Sequence, residues 1–133
     1  MATTEHQVQL TRIGEEFIGA FNLRDAAGLL ALAHEDIEFH PTMLVGSKRV
    51  YKGHDGLRSW LADLLDSDAK HQVRVREIRA LDDERLIVLS EVLLDGETIS
   101  PSAMIATVRE GKIVNARAYL SDEATLAELD LLR

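Results

Sequence analysis

The chain has 133 residues, 46% of them hydrophobic, no cysteine and a formal net charge of −8. That length and apolar content suffice for one domain, residues 1–133, with a core that needs neither disulfide nor metal. The missing cysteines exclude thiolate nucleophiles and cysteine-ligated zinc, and the acidic balance argues against nucleic acid as a partner, because phosphate binding needs a basic face. The opening residues MATTEHQ carry no apolar run of a secretory signal, and the longest apolar stretch, residues 26–33, is too short to span a bilayer. The expectation is a soluble, cytoplasmic protein that binds no membrane.

In chain order, Leu10, Ile13, Phe17, Ala20 and Phe21 recur at three- and four-residue spacing and predict one helix with a single apolar face. Residues 22–24 break it, and Asp25 is placed to cap a short second helix carrying Leu29, Leu30, Leu32 and Ala33. Residues 36–41, Asp-Ile-Glu-Phe-His-Pro, alternate and predict a strand that Pro41 ends. Residues 43–51 read as a loop or small hairpin around Gly46. Leu57, Trp60, Leu61, Leu64 and Leu65 then mark a third helix, with Asp55 near its positive end.

The period changes after residue 70. Val73 and Val75 alternate with Arg74 and Arg76, and the alternation slips near Glu77 and Ile78, which predicts a bulge. Residues 86–94, 99–108 and 112–120 predict three further strands, joined at Asp95-Gly96 and Glu110-Gly111. Pro101 marks an edge or bulge. Ser121 or Asp122 can cap a last helix with Leu126, Leu129 and Leu132. Helices followed by an antiparallel meander make an α+β fold, and a bent sheet with a helical lid leaves one concave apolar pocket.

Several segments together carry a family resemblance. They are residues 17–22 with Arg24-Asp25, Glu38-Phe39-His40-Pro41, residues 51–57 (Tyr-Lys-Gly-His-Asp-Gly-Leu), and Gly111-Lys112-Ile113-Val114 leading to Ala118-Tyr119-Leu120-Ser121. In order and spacing these resemble the SnoaL-like proteins of the nuclear-transport-factor-2-like superfamily, over nearly the whole chain. The resemblance implies a cone-shaped fold, a curved antiparallel sheet wrapped by N-terminal helices around the pocket. Relatives include ketosteroid isomerases, polyketide cyclases, scytalone dehydratase and limonene-epoxide hydrolase, so the fold alone does not give the function.

The isomerase branch sets a residue-by-residue expectation. Its general base is an aspartate directly before a proline at the end of the first strand, and the matching residue is His40, before Pro41. Its oxyanion donors match Phe17 and Met104, and neither donates a hydrogen bond. Losing one such donor typically costs ~10²–10³ in rate, which argues against steroid isomerisation. Glu38 shares strand parity with His40 and could orient its imidazole. The expected catalytic set is therefore His40, Glu38 and Tyr51. Phe17, Phe21, His54, Trp60, Met104 and Leu120 are the expected ligand-pocket residues.

Each residue also has a plainer reading. His40 can be a buried histidine that a neighbour satisfies, His54 a residue of a helix-entry loop, and Trp60 simply core. Glu91 and Arg117 fit an ion pair on the convex face. No histidine spacing supports a metal site, and no phosphate loop, nucleophile elbow or dinucleotide fingerprint occurs, so no metal or cofactor is expected. Two functions stay open: a cofactor-free isomerase, cyclase or dehydratase acting on a small hydrophobic substrate, or a non-catalytic module that binds such a molecule. A homodimer is expected through an apolar convex face carrying Leu89, Leu93 and Tyr119.

Overall fold

The computed structural model describes residues 4–41, 50–66 and 70–128. Helix α1 spans Thr4–Leu23, α2 Ala26–Leu32 and α3 Gly53–Leu65. The strands are β1 Ala33–His40, β2 Tyr51–Lys52, β3 His71–Ala80, β4 Arg85–Leu94, β5 Glu97–Arg109 and β6 Lys112–Tyr119, and α4, Glu123–Glu128, follows. The architecture is α+β, as the change of period predicts. The expected loop at residues 43–49, and Leu129 and Leu132, lie outside the described residues.

The predicted helix faces are the buried ones. Leu10, Ile13, Phe17, Ala20 and Phe21 of α1 are all in the core, as are Leu57, Trp60, Leu61 and Leu64 of α3. Leu65 departs from that face and is 66% exposed. The Asp25 side chain accepts from the Gly28 N–H at 3.0 Å and caps α2. That helix ends at Leu32, so Ala33 opens β1 and the strand starts three residues before the predicted one.

The sheet runs β2-β1-β6-β5-β4-β3. Strands β3 to β6 form the antiparallel meander. The expected antiparallel sheet carries one parallel pair, β1 beside β6. The reason is the connection: α3 and the meander separate the two strands, and a crossover of that length permits parallel pairing. Register shifts fall between Val75 and Glu77, between Val92 and Leu93, and between Thr107 and Val108. Each inserts a residue and bends the sheet, and the first is the bulge that the slipped alternation predicts.

Alternation divides the meander into two faces. Leu86, Val88, Met104, Ala106 and Ala116 point inward, against α1 and α3. Ile87 and Ala103 point outward, where Leu126 of α4 is fully buried against them, with Leu81, Leu89, Ile105 and Tyr119 around it. The chain thus covers part of its own convex apolar patch.

The edge of β3 is closed by the end of α1. Asn22 accepts from the Val73 N–H (2.9 Å) and donates to the Val73 carbonyl (2.8 Å), as a paired strand would. Arg24 donates to the carbonyls of His71 (2.7 Å) and Phe21 (2.9 Å), with its guanidinium 4.7 Å from the centre of the Phe21 ring. Replacing Asn22 by Ala strands both Val73 groups. The expected loss of unfolding free energy is about 1–3 kcal/mol, seen as a lower urea midpoint at unchanged slope. A midpoint equal to that of the wild-type protein would contradict this role.

Candidate functional site

Between α1, α3 and the inner face of the sheet lies an apolar cavity. Phe17, Ile18 and Phe21 wall it from α1, Trp60 from α3, Phe39 from β1 and Val73 from β3. Ser90, Ser102, Ala103, Met104, Ala118 and Tyr119 complete the lining. The aromatic side chains pack on one another. Phe39 meets Trp60 edge-on at 4.4 Å between centroids and Phe17 at 6.2 Å, and Trp60 stacks on Phe21 at 5.1 Å.

The cavity is narrow. The free space counted out to its mouth is about 420 Å³, yet the centre of a water molecule can occupy only about 20 Å³ of it. The smaller figure decides what fits, and it is room for roughly one water. A larger guest therefore requires the aromatic side chains to turn aside.

Of the pocket residues expected from sequence, Phe17, Phe21, Trp60 and Met104 line this cavity. His54 and Leu120 are not among its lining residues. His54 donates from Nε2 to the Ala33 carbonyl at 2.9 Å and ties the start of α3 to β1. The wall residue beyond Ala118 is Tyr119, which also packs against the outer cluster.

The expected catalytic set is not gathered at the cavity. Strand β1 buries Ile37 and Phe39, leaves Glu38 exposed and His40 half-buried. In register, Phe39 pairs with the buried Ala116 and His40 with the exposed Arg117. His40 and Glu38 therefore stand on the outer face, and Phe39 supplies the cavity wall. The physical reason is plain alternation: the apolar members of Ile-Glu-Phe-His go inward. The expected placement of His40 in the pocket is set against this register, in which Phe39 takes the inward place.

On that outer face the His40 Nε2 is 3.9 Å from the Glu38 Oε1, beyond hydrogen-bond reach, and the side chains are 24% and 48% exposed. The Nε2 atom is itself buried and has no hydrogen-bond partner among the described residues. Burial holds the imidazole pKa below its ordinary value; the charges of Arg117 and Lys52 add to this, and Glu38 opposes it.

Tyr51 is also buried away from the cavity, where its hydroxyl donates to Asp63 Oδ2 of α3 at 2.7 Å. A side chain on Gly56 would come within 2.8 Å of the Tyr51 backbone, so glycine there lets α3 seat against β2. Glu91 pairs with Arg74 at 2.9 Å and, more loosely, with Arg76 at 3.9 Å, rather than with Arg117. His71 is 8% exposed, with a buried Nδ1 that lacks a partner among the described residues.

Sequence reasoning missed Ser90 and Ser102. Their hydroxyl oxygens are 2.8 Å apart in the cavity wall, and both residues are buried. A lone serine in the run Leu-Ile-Val-Leu-Ser-Glu-Val was the available signal for the first.

The SnoaL-like domain family matches residues 15–116, most of the fold just described. The chain belongs to that family. Solved structures of the fold resemble it at low sequence identity. A candidate polyketide cyclase from Xanthomonas campestris pv. campestris is 20% identical over 96% of this chain and 99% of that one, with a TM-score of 0.73. An NTF2-like protein from Burkholderia xenovorans LB400 is 23% identical over 96% and 98%, with a TM-score of 0.70. TerC, co-crystallized with polyporic acid, is 22% identical over 93% and 98%, with a TM-score of 0.69. No curated protein matches this sequence.

A histidine whose folded-state pKa is depressed resists protonation in the folded state. As pH falls through the ordinary histidine range, near 6.5, the unfolded chain takes up the proton first and stability drops. His40→Gln removes that loss. The expected result is that the wild-type protein loses stability relative to the variant between pH 7 and pH 5, by urea unfolding. A difference that stays constant over this range would contradict the assignment.

Proposed function

We propose that this SnoaL-like chain binds a small hydrophobic molecule in the cavity between α1, α3 and the sheet, without catalysing acid–base chemistry on it. The observation that carries this reading is the composition of the wall. Five aromatic residues, Met104, aliphatic residues and two serines surround the space, and no histidine or carboxylate is among the described lining residues. Isomerisation, cyclisation or dehydration requires a base placed within about 3 Å of the proton removed, or one water away. His40, the expected base, is not among the described lining residues, and its register partner Arg117 is exposed, which supports this reading. Tyr119, the one ionisable residue among the described lining residues, packs against the outer cluster of Ile87, Ala103 and Leu126. TerC, which shares the fold, was co-crystallized with polyporic acid; that supports ligand binding by this architecture.

Trp60 is the single tryptophan of the chain and stands in the cavity wall, so its fluorescence reports occupancy. Titration with the neutral dye Nile red is expected to quench it saturably at one site per chain. Ala118→Phe, which fills the cavity from β6, is expected to weaken binding at least about ten-fold, whereas His40→Ala binds as the wild-type protein does. A strong loss on His40→Ala, with Ala118→Phe silent, would return the site to the outer face.

We also propose that two copies pair through the convex face, where Leu89, Ile105 and Tyr119 stay partly exposed beside α4 and Leu93 is partly exposed further along β4. A stable pair buries on the order of 1,600 Å² in total. Sedimentation at micromolar concentration is expected to show twice the mass of the 14.8 kDa chain. A single species of chain mass would contradict it.

A further inference from the structure

The geometry points to the Ser90–Ser102 pair as the polar anchor of the cavity, selecting uncharged ligands that carry a hydroxyl or carbonyl oxygen on an apolar ring body. This inference rests on the ligand-binding reading and adds the chemical class of the ligand.

The pair faces the cavity from two neighbouring strands. Ser90 of β4 is directly opposite Ser102 of β5. Both are more than nine-tenths buried, at 5% and 7% exposure, and both line the apolar cavity, while also bordering a separate, charged hollow beside Arg76, Glu77 and Asp122. The two Oγ atoms are 2.8 Å apart, and the Ser90 Oγ is 3.3 Å from the Ser102 carbonyl oxygen.

A hydroxyl has one proton to donate and two lone pairs to accept with. Two arrangements of the two protons follow. In the first, Ser102 donates to the Ser90 Oγ and Ser90 donates to the Ser102 carbonyl. Both protons are then used, and the Ser102 Oγ keeps lone pairs that can accept from a ligand hydroxyl. In the second, Ser90 donates to the Ser102 Oγ, and the Ser102 proton is released toward a ligand carbonyl. The two interconvert by rotation of the hydroxyl protons alone, with no heavy atom moved. The pair is self-satisfied when the cavity is empty, and it meets either a donor or an acceptor oxygen when the cavity is filled.

Charge is what this wall cannot accept. No Lys, Arg or His among the described lining residues is there to pair with a carboxylate, and no Asp or Glu to pair with an ammonium. An ion desolvated without a partner is strongly disfavoured. The rest of the wall favours flat apolar bodies, because Phe21, Phe39 and Trp60 present ring faces and edges.

The test uses three matched probes, 2-naphthol, 2-methylnaphthalene and 2-naphthoate, titrated calorimetrically into the whole chain at pH 7.5. The wild-type protein is expected to bind 2-naphthol about two- to ten-fold tighter than 2-methylnaphthalene, the ratio of one net hydrogen bond, and to bind 2-naphthoate not measurably. In the double variant Ser90→Ala, Ser102→Ala the two neutral probes are expected to bind equally. Removing both partners of a buried hydrogen bond together is close to neutral for stability. If the double variant does not unfold cooperatively, Ser102→Thr against Ser102→Val makes the same comparison, hydroxyl kept against hydroxyl lost. Equal affinities in the wild-type protein, a preference that survives loss of the hydroxyls, or naphthoate bound as tightly as naphthol would each overturn the anchor while leaving ligand binding intact. Failure of all three probes to bind would overturn the ligand-binding reading together with the anchor.

Discussion

The register of β1 on β6 decides what this fold can do. Phe39 is opposite Ala116 and His40 opposite Arg117, and a strand has only two faces. Pairing fixed in this way sends Phe39 to the cavity and His40 to the outside. The aromatic cluster depends on that choice, because Phe39 is the ring that touches both Phe17 of α1 and Trp60 of α3. A slip by one residue would put the Glu38 carboxylate and the His40 imidazole among the aromatic rings and turn the Phe39 ring to the outer face. The apolar interior makes that exchange costly, so one register is strongly specified.

The cavity is consequently a greasy, almost filled space. Ligand sites for small molecules usually enclose on the order of 300–1,000 Å³, far above the 20 Å³ that a water centre can reach in this closed arrangement. Occupancy therefore requires rotation of aromatic side chains against a frame that holds still. The frame is well tied on one side: Asn22 and Arg24 fasten the end of α1 to the edge of β3, and Tyr51 and His54 fasten α3 to β1 and its neighbours. These polar residues, two of them first read as candidates for chemistry, hold the helices over the sheet.

Much of the fold was legible in the sequence. The spacing of Leu10, Ile13, Phe17 and Phe21 gives the buried face of α1, and Asp95-Gly96 and Glu110-Gly111 give the meander, with positive φ at all four residues. The slipped alternation at Glu77 marks the bulge. The inward face of β1 was legible too, since Ile37 and Phe39 alternate with Glu38 and His40. The resemblance to the isomerase base position pointed the other way, and on this chain the alternation prevails. The serine pair was not legible. Counted back from the tight turn, Ser90 would be opposite Pro101; the register shift between Val92 and Leu93 moves Ser102 into that place. Pro101 signals a bulge in the sequence but does not say where the extra residue goes. The parallel pairing of β1 with β6 is likewise a long-range choice that no local pattern encodes.

The central claim is that the ligand site is inside the aromatic cavity and not at the histidine of the outer face. A crystal structure of the chain grown with 2-naphthol tests it most directly. The account predicts the naphthyl ring against Trp60 and Phe39, those side chains turned from their closed positions, with its oxygen at hydrogen-bond distance from Ser102 Oγ. A ligand bound on the outer face beside His40 and Arg117, with the cavity closed, would contradict it.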